Sequence, residues 1–301
     1  MPTLKEIKGR IASVQNTLKI TSAMKLVSSA KLRKAQTAIE AMRPYQQRLQ
    51  EILSLAGAGG SDSVSSALHS SPVRVNAPET ESLPPEAKTV LVAMASNSSL
   101  CGGFNANAIA RAKSVLRERK VTQVYSIGRK MADAMRKAGY PSPEDYASLS
   151  EHPAYGPAAD LAEKLMEEYH DGKIGSVLLV YNHFVSTGKQ VPVVEELFDA
   201  NKAEETASSF SGLSRESQDV ILEPSRKELL DALYPKTIKL KLFAAILDSA
   251  AAEHAARTVA MQTATDNGED LLAELTLQYN KGRQQKITSE ILDLAGGQSR
   301  D

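Results

Sequence analysis

The apolar positions of the amino-terminal segment predict one long helix. From Leu4 to Leu53, residues spaced alternately three and four apart are mostly apolar, which is the spacing of a coiled-coil seam. The series comprises Leu4, Ile7, Ile11, Val14, Leu18, Thr21, Lys25, Ser28, Leu32, Ala35, Ile39, Met42, Gln46, Leu49 and Leu53. Between Pro2 and Pro44 there is no proline, and Gly9 is the only glycine. Because a single helix of this length cannot bury its own apolar stripe, it needs a partner.

The carboxyl-terminal segment carries a similar series and contains no proline after Pro235. Its apolar and small residues again recur every three or four positions. They are Leu242, Ala245, Ser249, Ala252, Ala256, Val259 and Thr263, followed after a slip in phase by Leu272, Leu275 and Tyr279, and later by Ile287, Ile291 and Leu294. The small side chains of the early part allow two helix axes to approach closely. The simplest arrangement pairs the two terminal helices with each other, antiparallel.

Between the terminal helices, short apolar runs alternate with amphipathic stretches. The predicted strands are 89–96, 121–128, 176–186 and 191–198, and the predicted helices are 106–120, 129–140 and 160–173. Such alternation predicts a small parallel sheet, and the turn STGKQ before the last strand predicts an antiparallel hairpin at its edge. The predicted fold class is therefore α/β: a long antiparallel coiled coil of the terminal helices with an inserted Rossmann-like domain.

Composition shifts along the chain predict four parts. Residues 1–56 form the amino-terminal shaft helix, and 57–87, rich in Gly, Ser and Pro, form a flexible linker. Residues 88–234 form the inserted α/β domain, in which 199–218 are expected to be a loose polar stretch. Residues 235–301 form the carboxyl-terminal shaft helix, with Pro235 just before its start, where a missing N–H costs least.

Overall composition excludes several classes of protein. Apolar residues make up 42% and charged residues 24%, as in soluble globular proteins. No apolar run approaches the roughly 20 residues of a membrane span, and the start lacks the apolar core of a secretory signal, as expected of a mature or bacterial amino terminus. Cys101 is the only cysteine, which excludes an intramolecular disulfide and a cysteine-based zinc cage.

Charge is unevenly distributed although the formal net charge is zero. The basic residues between 1 and 36 are Lys5, Lys8, Arg10, Lys19, Lys25, Lys31, Arg33 and Lys34, against the single acidic residue Glu6. A basic helix indicates either an anionic partner or simply a solvated face. Nucleic acid is one such partner, but the neutral total charge and the lack of interleaved aromatic residues weigh against it.

The loop NSSLCGGFN, residues 97–105, is the candidate for small-molecule chemistry. A glycine-rich turn between a strand and a helix can hold phosphate, which would make the chain an α/β enzyme with a helical appendage. Neither phosphate-loop spacing is present, however, so a structural turn with Cys101 as a small buried residue is favoured. The five histidines share no metal-like spacing. The sequence predicts no catalytic constellation, no metal and no cofactor.

The polar residues of the segment TDNGEDLL interrupt the carboxyl-terminal series. Asp266, Asn267 and Gly268 each lower helix propensity there. They are expected to face either solvent or a partner that is not this chain.

Three segments of the chain resemble a known family. Residues 4–36, which include ITSAMK, and residues 253–297 are similar to the two signature segments of the gamma subunit of F-type ATP synthase. The run VLVAMASNSSLCGGFN, residues 90–105, resembles the entry to that family's central domain. The similar segments follow the family's order. The linker at 56–87 is longer than in many members, and the chloroplast form's regulatory cysteine pair is missing, which makes thiol switching an unexpected property.

The resemblance implies a mechanical role without bond chemistry. The paired terminal helices would form the central rotor shaft inside a hexamer of three alpha and three beta subunits. The inserted domain would bind the epsilon subunit and the membrane c-ring, with a delta subunit in the same complex. Proton flow turning the ring would then drive ATP synthesis or hydrolysis on beta. The implied location is peripheral, on the cytoplasmic face of the bacterial inner membrane, or alternatively on the matrix side of the mitochondrial inner membrane.

The resemblance also implies five contact residues for the alpha–beta hexamer. Met24 and Lys25 match positions that meet the acidic lever loop of beta, which Lys19, Lys31 and Arg33 are also placed to face. The positions that match contacts with the catch loops of alpha and beta are Arg283, Gln284 and Thr288. The planar guanidinium of an arginine suits recognition of a carboxylate.

Overall fold

The computed structural model describes residues 3–57, 88–199, 223 and 225–297. Its elements are α1 (Leu4–Gly57), β1 (Thr89–Met94), α2 (Phe104–Glu118), β2 (Val121–Ile127), α3 (Arg129–Lys137), α4 (Ala147–Glu151), α5 (Tyr155–His170), β3 (Ser176–Ser186), β4 (Lys189–Asp199) and α6 (Arg226–Gly297). The chain divides into two compact units. The first unit comprises residues 1–30 and 257–301, and the second comprises residues 31–256.

The second unit is built on a four-stranded mixed sheet with the order β2-β1-β3-β4. Strand β1 pairs in parallel with both β2 and β3. Strands β3 and β4 form an antiparallel hairpin in which Val180 pairs with Val194. The predicted parallel sheet with an antiparallel edge is therefore confirmed.

Both faces of this sheet are covered by helices, as the near-continuous apolar strands require. Along β1, Val90 and Val92 point to the face that packs against α5 and α6. Leu91 and Ala93 point to the opposite face, which packs against α2 and α3. All four side chains are fully buried, so the core of the second unit lies on both sides of β1.

The last helix begins earlier than predicted, at Arg226 instead of 235, and Pro235 lies inside it. The cause is a helix-start signal that the prediction missed. The side chain of Ser225 accepts a hydrogen bond from the N–H of Glu228 at 3.2 Å, as at the start of a capping box. Leu230 is buried against Leu53. This packing and the cap outweigh the cost of a proline in a helix.

Other predicted segments compare with the structure as follows. The short helix α4 lies in a region predicted as a loop, because its five residues are too few to show a period. The predicted linker 57–87 lies outside the described residues except for Gly57, as does the polar stretch 199–218 except for Asp199. Among the helices that the structure describes, none contains a segment apolar enough to traverse a lipid bilayer.

The first unit consists of an α1 segment and an α6 segment that run antiparallel. Thr21 Oγ1 and Thr265 Oγ1 lie 3.0 Å apart in a hydrogen bond. Leu18 lies against Gly268, and Leu4 lies against Gly282. From Leu4 to Leu18 the first helix advances fourteen residues, while its neighbour goes back fourteen, from Gly282 to Gly268. Equal and opposite steps of this kind show that the two segments keep one register.

The α1 series predicted from the sequence is buried or half-buried at every position from Leu4 to Leu53. The α6 series is wrong at Val259 and Thr263, which are exposed, whereas Met261 and Thr265 are buried. The reason lies just before them, in residues 249–256, all of which are buried. Because most of these residues are alanines or other small residues on every side of the helix, their pattern does not determine its phase.

Gly268 permits a close approach to α1 within the first unit. A Cβ at this position would lie 2.7 Å from Cδ2 of Leu18 and 3.3 Å from its Cγ. The predicted interruption of the series is therefore wrong at Gly268, which is half-buried, although Asp266 and Asn267 are exposed as expected. A residue without a side chain allows the two helices to approach here.

We expect Gly268→Val to lower the free energy of unfolding by about 2 kcal/mol, because the added methyl groups overpack the contact with Leu18. Gly9→Val is the matched control, since a Cβ at Gly9 would have no neighbour within 4 Å. The control should raise the same free energy by about 0.3 kcal/mol, as valine has the higher helix propensity. Urea unfolding followed by circular dichroism measures both. Equal effects of the two variants would contradict the close approach.

Candidate partner-binding surfaces

The five predicted contact residues all lie in the first unit, at two separate levels. Met24 and Lys25 are half-buried on α1, whereas Arg283, Gln284 and Thr288 are exposed on α6. Gly282 lies opposite Leu4, the first residue of α1. At a rise of 1.5 Å per residue, Lys25 and Arg283 are therefore about 33 Å apart along the helix pair. The fold does not bring the two sets together, and each forms its own surface.

The set on α6, called the upper set, comprises Arg283, Gln284 and Thr288. It lies on a part of α6 that has no opposite residue on α1. Helix α6 continues to Gly297, well past the level of Leu4. Residues 283–292, the tip segment, are all exposed. In it, the Thr288 hydroxyl donates to the Gln284 carbonyl oxygen at 2.9 Å. Among the residues that the structure describes, the tip segment is thus a single helix with every side chain exposed.

The tip segment exposes apolar side chains that the sequence assigned to the seam. Ile287 is 47% exposed, Ile291 60% and Leu292 64%. The prediction for Ile287 and Ile291 is wrong because α1 begins at Leu4 and supplies no side chain to cover them. Leu294, the third predicted position, lies outside the described side chains. Only the register of the helix pair, which requires the structure, reveals this exposure.

The surface around Met24 and Lys25, called the lower surface, combines a basic residue with exposed apolar residues. Ile20, Leu26 and Val27 are more than half exposed on α1 around Met24 and Lys25. Lys25 occupies a seam position and is half-buried, as expected of a lysine whose aliphatic stem packs against neighbouring residues. No described carboxylate lies within ion-pair distance of Lys25. Its charge is therefore available to a partner.

The α6 segment carries acidic residues where α1 carries basic ones. Between residues 258 and 280, its exposed carboxylates are Asp266, Glu269, Asp270 and Glu274. Two of them are held by neighbours on the same helix: Gln262 donates to Asp266 at 2.6 Å, and Gln278 donates to Glu274 at 3.1 Å. The first unit therefore presents different charges on its two helices, which would let a partner distinguish its sides.

The NSSLCGGFN loop of the second unit uses its polar groups internally. Asn105 Oδ1 accepts hydrogen bonds from the N–H and the hydroxyl of Ser96, both at 3.0 Å. The Asn105 amide donates to the Ser98 carbonyl oxygen at 3.2 Å and to Cys101 Sγ at 3.1 Å. Cys101 is buried, as predicted. This arrangement is that of a structural turn.

Open α/β sheets bind ligands in a crevice at the carboxyl ends of their strands, at the switch point of the strand order, which here lies between β1 and β3. Beside it, at the ends of β1 and β2, α6 closes the crevice. The cavity left there measures about 10 Å³ and is lined by Met94, Ala95, Ile127, Ser150, Ile246, Ser249, Ala250 and Glu253. Ligand pockets measure roughly 300–1,000 Å³, so this cavity is far too small for a nucleotide. Within the described ranges, no group of three His, Cys, Asp or Glu residues is placed to hold a metal ion.

Sequence comparisons match the chain over its whole length. A family model described as ATP synthase matches residues 3–299. The ATP synthase gamma chain of Phocaeicola vulgatus is 44% identical over 302 residues, covering 99% of this chain and 99% of that protein. The ATP synthase gamma chain of Bacteroides thetaiotaomicron is 42% identical over 308 residues, with the same coverage of both.

Solved structures of similar fold come from Euglena gracilis mitochondrial ATP synthase. A chain of its OSCP/F1/c-ring structure in rotational state 3 gives a TM-score of 0.66 at 18% identity, covering 98% of this chain and 93% of that chain. A chain of its rotor structure in rotational state 1 gives a TM-score of 0.62 at 18% identity, covering 94% and 98%. The fold and the full-length identities agree: the chain belongs to the ATP synthase family, among its gamma chains.

Proposed function

We propose that this gamma chain is the central rotor shaft of an F-type ATP synthase and performs no bond chemistry itself. Rotation of a membrane c-ring driven by protons would turn the chain inside a hexamer of alpha and beta subunits. The turning shaft would change the state of each beta subunit in succession and so couple proton flow to ATP synthesis or hydrolysis. The exposed apolar tip segment carries this proposal.

The first unit is proposed to be an antiparallel coiled coil. Both segments carry a heptad series with alternating steps of three and four residues. Three pairs are in contact: Leu4 with Gly282, Leu18 with Gly268 and Thr21 with Thr265. In the register that they set, Ile7, Ile11, Val14, Lys25 and Ser28 would lie opposite Tyr279, Leu275, Leu272, Met261 and Thr258, in that order. All sixteen positions are buried or half-buried. An unbroken spacing of this kind on both helices supports coiled-coil packing.

The tip segment supports insertion of the shaft end into a sleeve of other subunits. Ile287, Ile291 and Leu292 expose apolar surface to water, which is unfavourable unless a partner covers it. A single helix is also the slimmest end that a shaft can have. On this surface, Arg283 is proposed to bind a carboxylate, and Gln284 and Thr288 to contact the same catch loops of alpha and beta.

Met24 and Lys25 are proposed to contact the acidic lever loop of a beta subunit. In its half-buried seam position, Lys25 would pack its stem against the helix pair and present its charge beside it. The exposed apolar residues Ile20 and Val27 would cover the flanks of that contact. The acidic residues on α6 would repel the same loop, which gives the shaft one preferred side.

The proposed parts of the chain have separate partners. We retain residues 1–56 as the amino-terminal shaft helix, 57–87 as a linker, 88–234 as the inserted domain and 235–301 as the carboxyl-terminal shaft part, although α6 itself begins at Arg226. The inserted domain is proposed to bind the epsilon subunit and the c-ring, in a complex that also contains delta. The Euglena neighbour belongs to an assembly with F1 and a c-ring. The chain would be a peripheral protein on the cytoplasmic face of the bacterial inner membrane, or on the matrix side in a mitochondrion.

The direct test is assembly with cognate alpha and beta subunits. We expect one copy of the full-length chain to co-elute with each hexamer in size exclusion, and native mass spectrometry gives the copy number. A second full-length chain with Ile287→Asp and Ile291→Asp should keep its fold and bind the hexamer more weakly. Failure of the unaltered chain to bind would contradict the proposal.

Arg283→Ala should slow ATP hydrolysis by the assembled complex about tenfold or more, because a hydrogen bond to a charged group contributes roughly 1.5–3 kcal/mol. Arg283→Lys tests the geometry, since it keeps the charge and loses the planar fork, and it should restore little. Lys281→Ala is the matched control: it removes an exposed charge two residues earlier and should leave the rate roughly unchanged. The contact proposed for Arg283 would be wrong if Arg283→Ala and Lys281→Ala gave the same rate of ATP hydrolysis.

A further inference from the structure

Two polar contacts fasten α6 to the edge hairpin within the second unit. At the first, the ammonium group of Lys241 donates to the Glu196 carbonyl oxygen at 2.5 Å and pairs with the Glu195 carboxylate at 3.1 Å. At the second, the Asp248 carboxylate accepts the N–H of Phe184 at 3.1 Å, and its other oxygen lies 2.5 Å from His183 Nδ1. Both contacts join one helix to the hairpin of β3 and β4.

The spacing of the two contacts fixes α6 in two ways. Lys241 and Asp248 are seven residues apart, which is about two turns and about 10.5 Å along the same face of a helix. One contact alone would leave the helix free to pivot about it, whereas two at different levels prevent both pivoting and sliding. The apolar residues between them, such as Leu242 and Ala245, pack against the sheet without directional preference.

These contacts are built to resist displacement. Two of the partner atoms belong to the backbone of the hairpin, the Glu196 oxygen and the Phe184 nitrogen, so a change of side-chain rotamer in the hairpin does not move them. The Glu195 carboxylate is itself held by the Tyr181 hydroxyl at 2.9 Å. The Asp248 side chain is only 18% exposed, so water screens its contacts weakly. Burial raises the pKa of Asp248, and its contacts with His183 and Phe184 act in the opposite direction.

We propose that Lys241 and Asp248 are positioning residues that transmit torque between the inserted domain and α6. The proposal rests on the rotor function proposed above. If the inserted domain receives the force and the helix passes it on, the joint between them must not slip. Apolar burial is non-directional, and the two polar contacts add directional resistance to displacement of the helix.

The test uses the complete complex in sealed vesicles, with the rate of ATP hydrolysis and ATP-driven proton uptake measured against a set pH gradient. Lys241→Met combined with Asp248→Ala should keep hydrolysis and lose proton uptake against the gradient. Each single variant should show a smaller loss. The conservative pair, Lys241→Arg with Asp248→Asn, keeps a donor for the Glu196 carbonyl oxygen and an acceptor for the Phe184 N–H, and should restore most of the uptake, which a simple loss of stability would not explain.

Lys173→Met is the matched control, because it removes an exposed ion pair with Asp171 in the same unit that does not involve α6. It should leave uptake per ATP unchanged. If the double variant fails to assemble, the two single variants test the proposal by the same measurement, proton uptake per ATP hydrolysed. Proton uptake per ATP equal to that of the unaltered chain, in assembled variants under the same gradient, would overturn this inference alone. No proton uptake with the unaltered chain would overturn the rotor function as well.

Discussion

Gly128→Ala is expected to lower the free energy of unfolding of the chain by about 3 kcal/mol or more, since it combines backbone strain with a steric clash. Gly128 has a φ of +94°, in the left-handed region that side chains disfavour. A Cβ there would lie 2.0 Å from the Ala95 carbonyl oxygen and 2.8 Å from its carbonyl carbon. Urea unfolding followed by circular dichroism measures the loss.

The Ala95 backbone cannot easily move away from such a Cβ. Its N–H donates to the Ile127 carbonyl oxygen at 2.9 Å, and its own oxygen accepts the Ser150 hydroxyl at 2.9 Å. Any displacement would therefore break hydrogen bonds where β1 and β2 end, beside the point at which α6 closes the crevice. The expected loss of stability thus depends on the contacts of Ala95, just after β1, with Ile127 of β2 and Ser150 of α4.

Gly139→Ala separates strain from clash. Gly139 also has a positive φ, +90°, but a Cβ there would have no neighbour within 4 Å. The control should lose only about 1 kcal/mol, the cost of the backbone conformation. Equal losses in the two variants would contradict the close approach of Gly128 to Ala95.

Leu275→Asp is expected to melt the helix pair of the first unit, at a cost of about 3 kcal/mol or more, because it places an unpaired charge in an apolar contact. Leu275 is 5% exposed. The register set by Leu4 with Gly282 and by Leu18 with Gly268 places it opposite Ile11. Circular dichroism should show lost helix, and amide hydrogen exchange should locate the loss in residues 4–28 and 258–282. The second unit should retain its protection.

Leu277→Asp provides the matched control two residues along the same helix. Leu277 is 70% exposed, so the identical substitution creates no buried charge. Its effect on the free energy of unfolding should stay within about 0.5 kcal/mol. If both variants melted the first unit, or neither did, the assigned register of the helix pair would be wrong.

The fold was predictable wherever one local pattern determines an element. The α1 series repeats every three or four residues with few ambiguous positions, and its burial follows that series. The segment SVLLVYNHFVS coincides with β3 because a dense apolar run bounded by turns leaves few alternatives. The start of α6 was also indicated in the sequence, by the S-x-x-E signal of Ser225 and Glu228. The prediction placed the start nine residues too late because it treated Pro235 as marking the start of the helix.

Other features depend on long-range contacts that no local pattern contains. The phase of α6 beyond Ala256 follows from its register with α1, and alanines on all sides of the helix conceal it. The exposure of Ile287 has the same origin, since it depends on where α1 begins. The contact of Lys241 with the Glu196 carbonyl oxygen joins residues 45 positions apart in the sequence.

The candidate contact residues came from the family resemblance and not from the chemistry of the chain. Nothing in the spacing of Met24, Lys25 or Arg283 distinguishes them from other helix-surface residues. The structure adds that Lys25 is held at a seam position and that Arg283 lies on an unpaired helix end. Their roles in binding alpha and beta remain proposals that the variants above test.

Rotation tests the central claim most directly. A hexamer of cognate alpha and beta subunits is fixed to a surface, and a bead is attached to the full-length chain through Lys113→Cys, an exposed position on α2. Cys101 is buried and does not compete for the label. On addition of ATP, we predict rotation in one direction with three equal pauses per turn, one for each beta subunit. Undirected motion of the bead, while the same hexamers hydrolyse ATP, would contradict the rotor function.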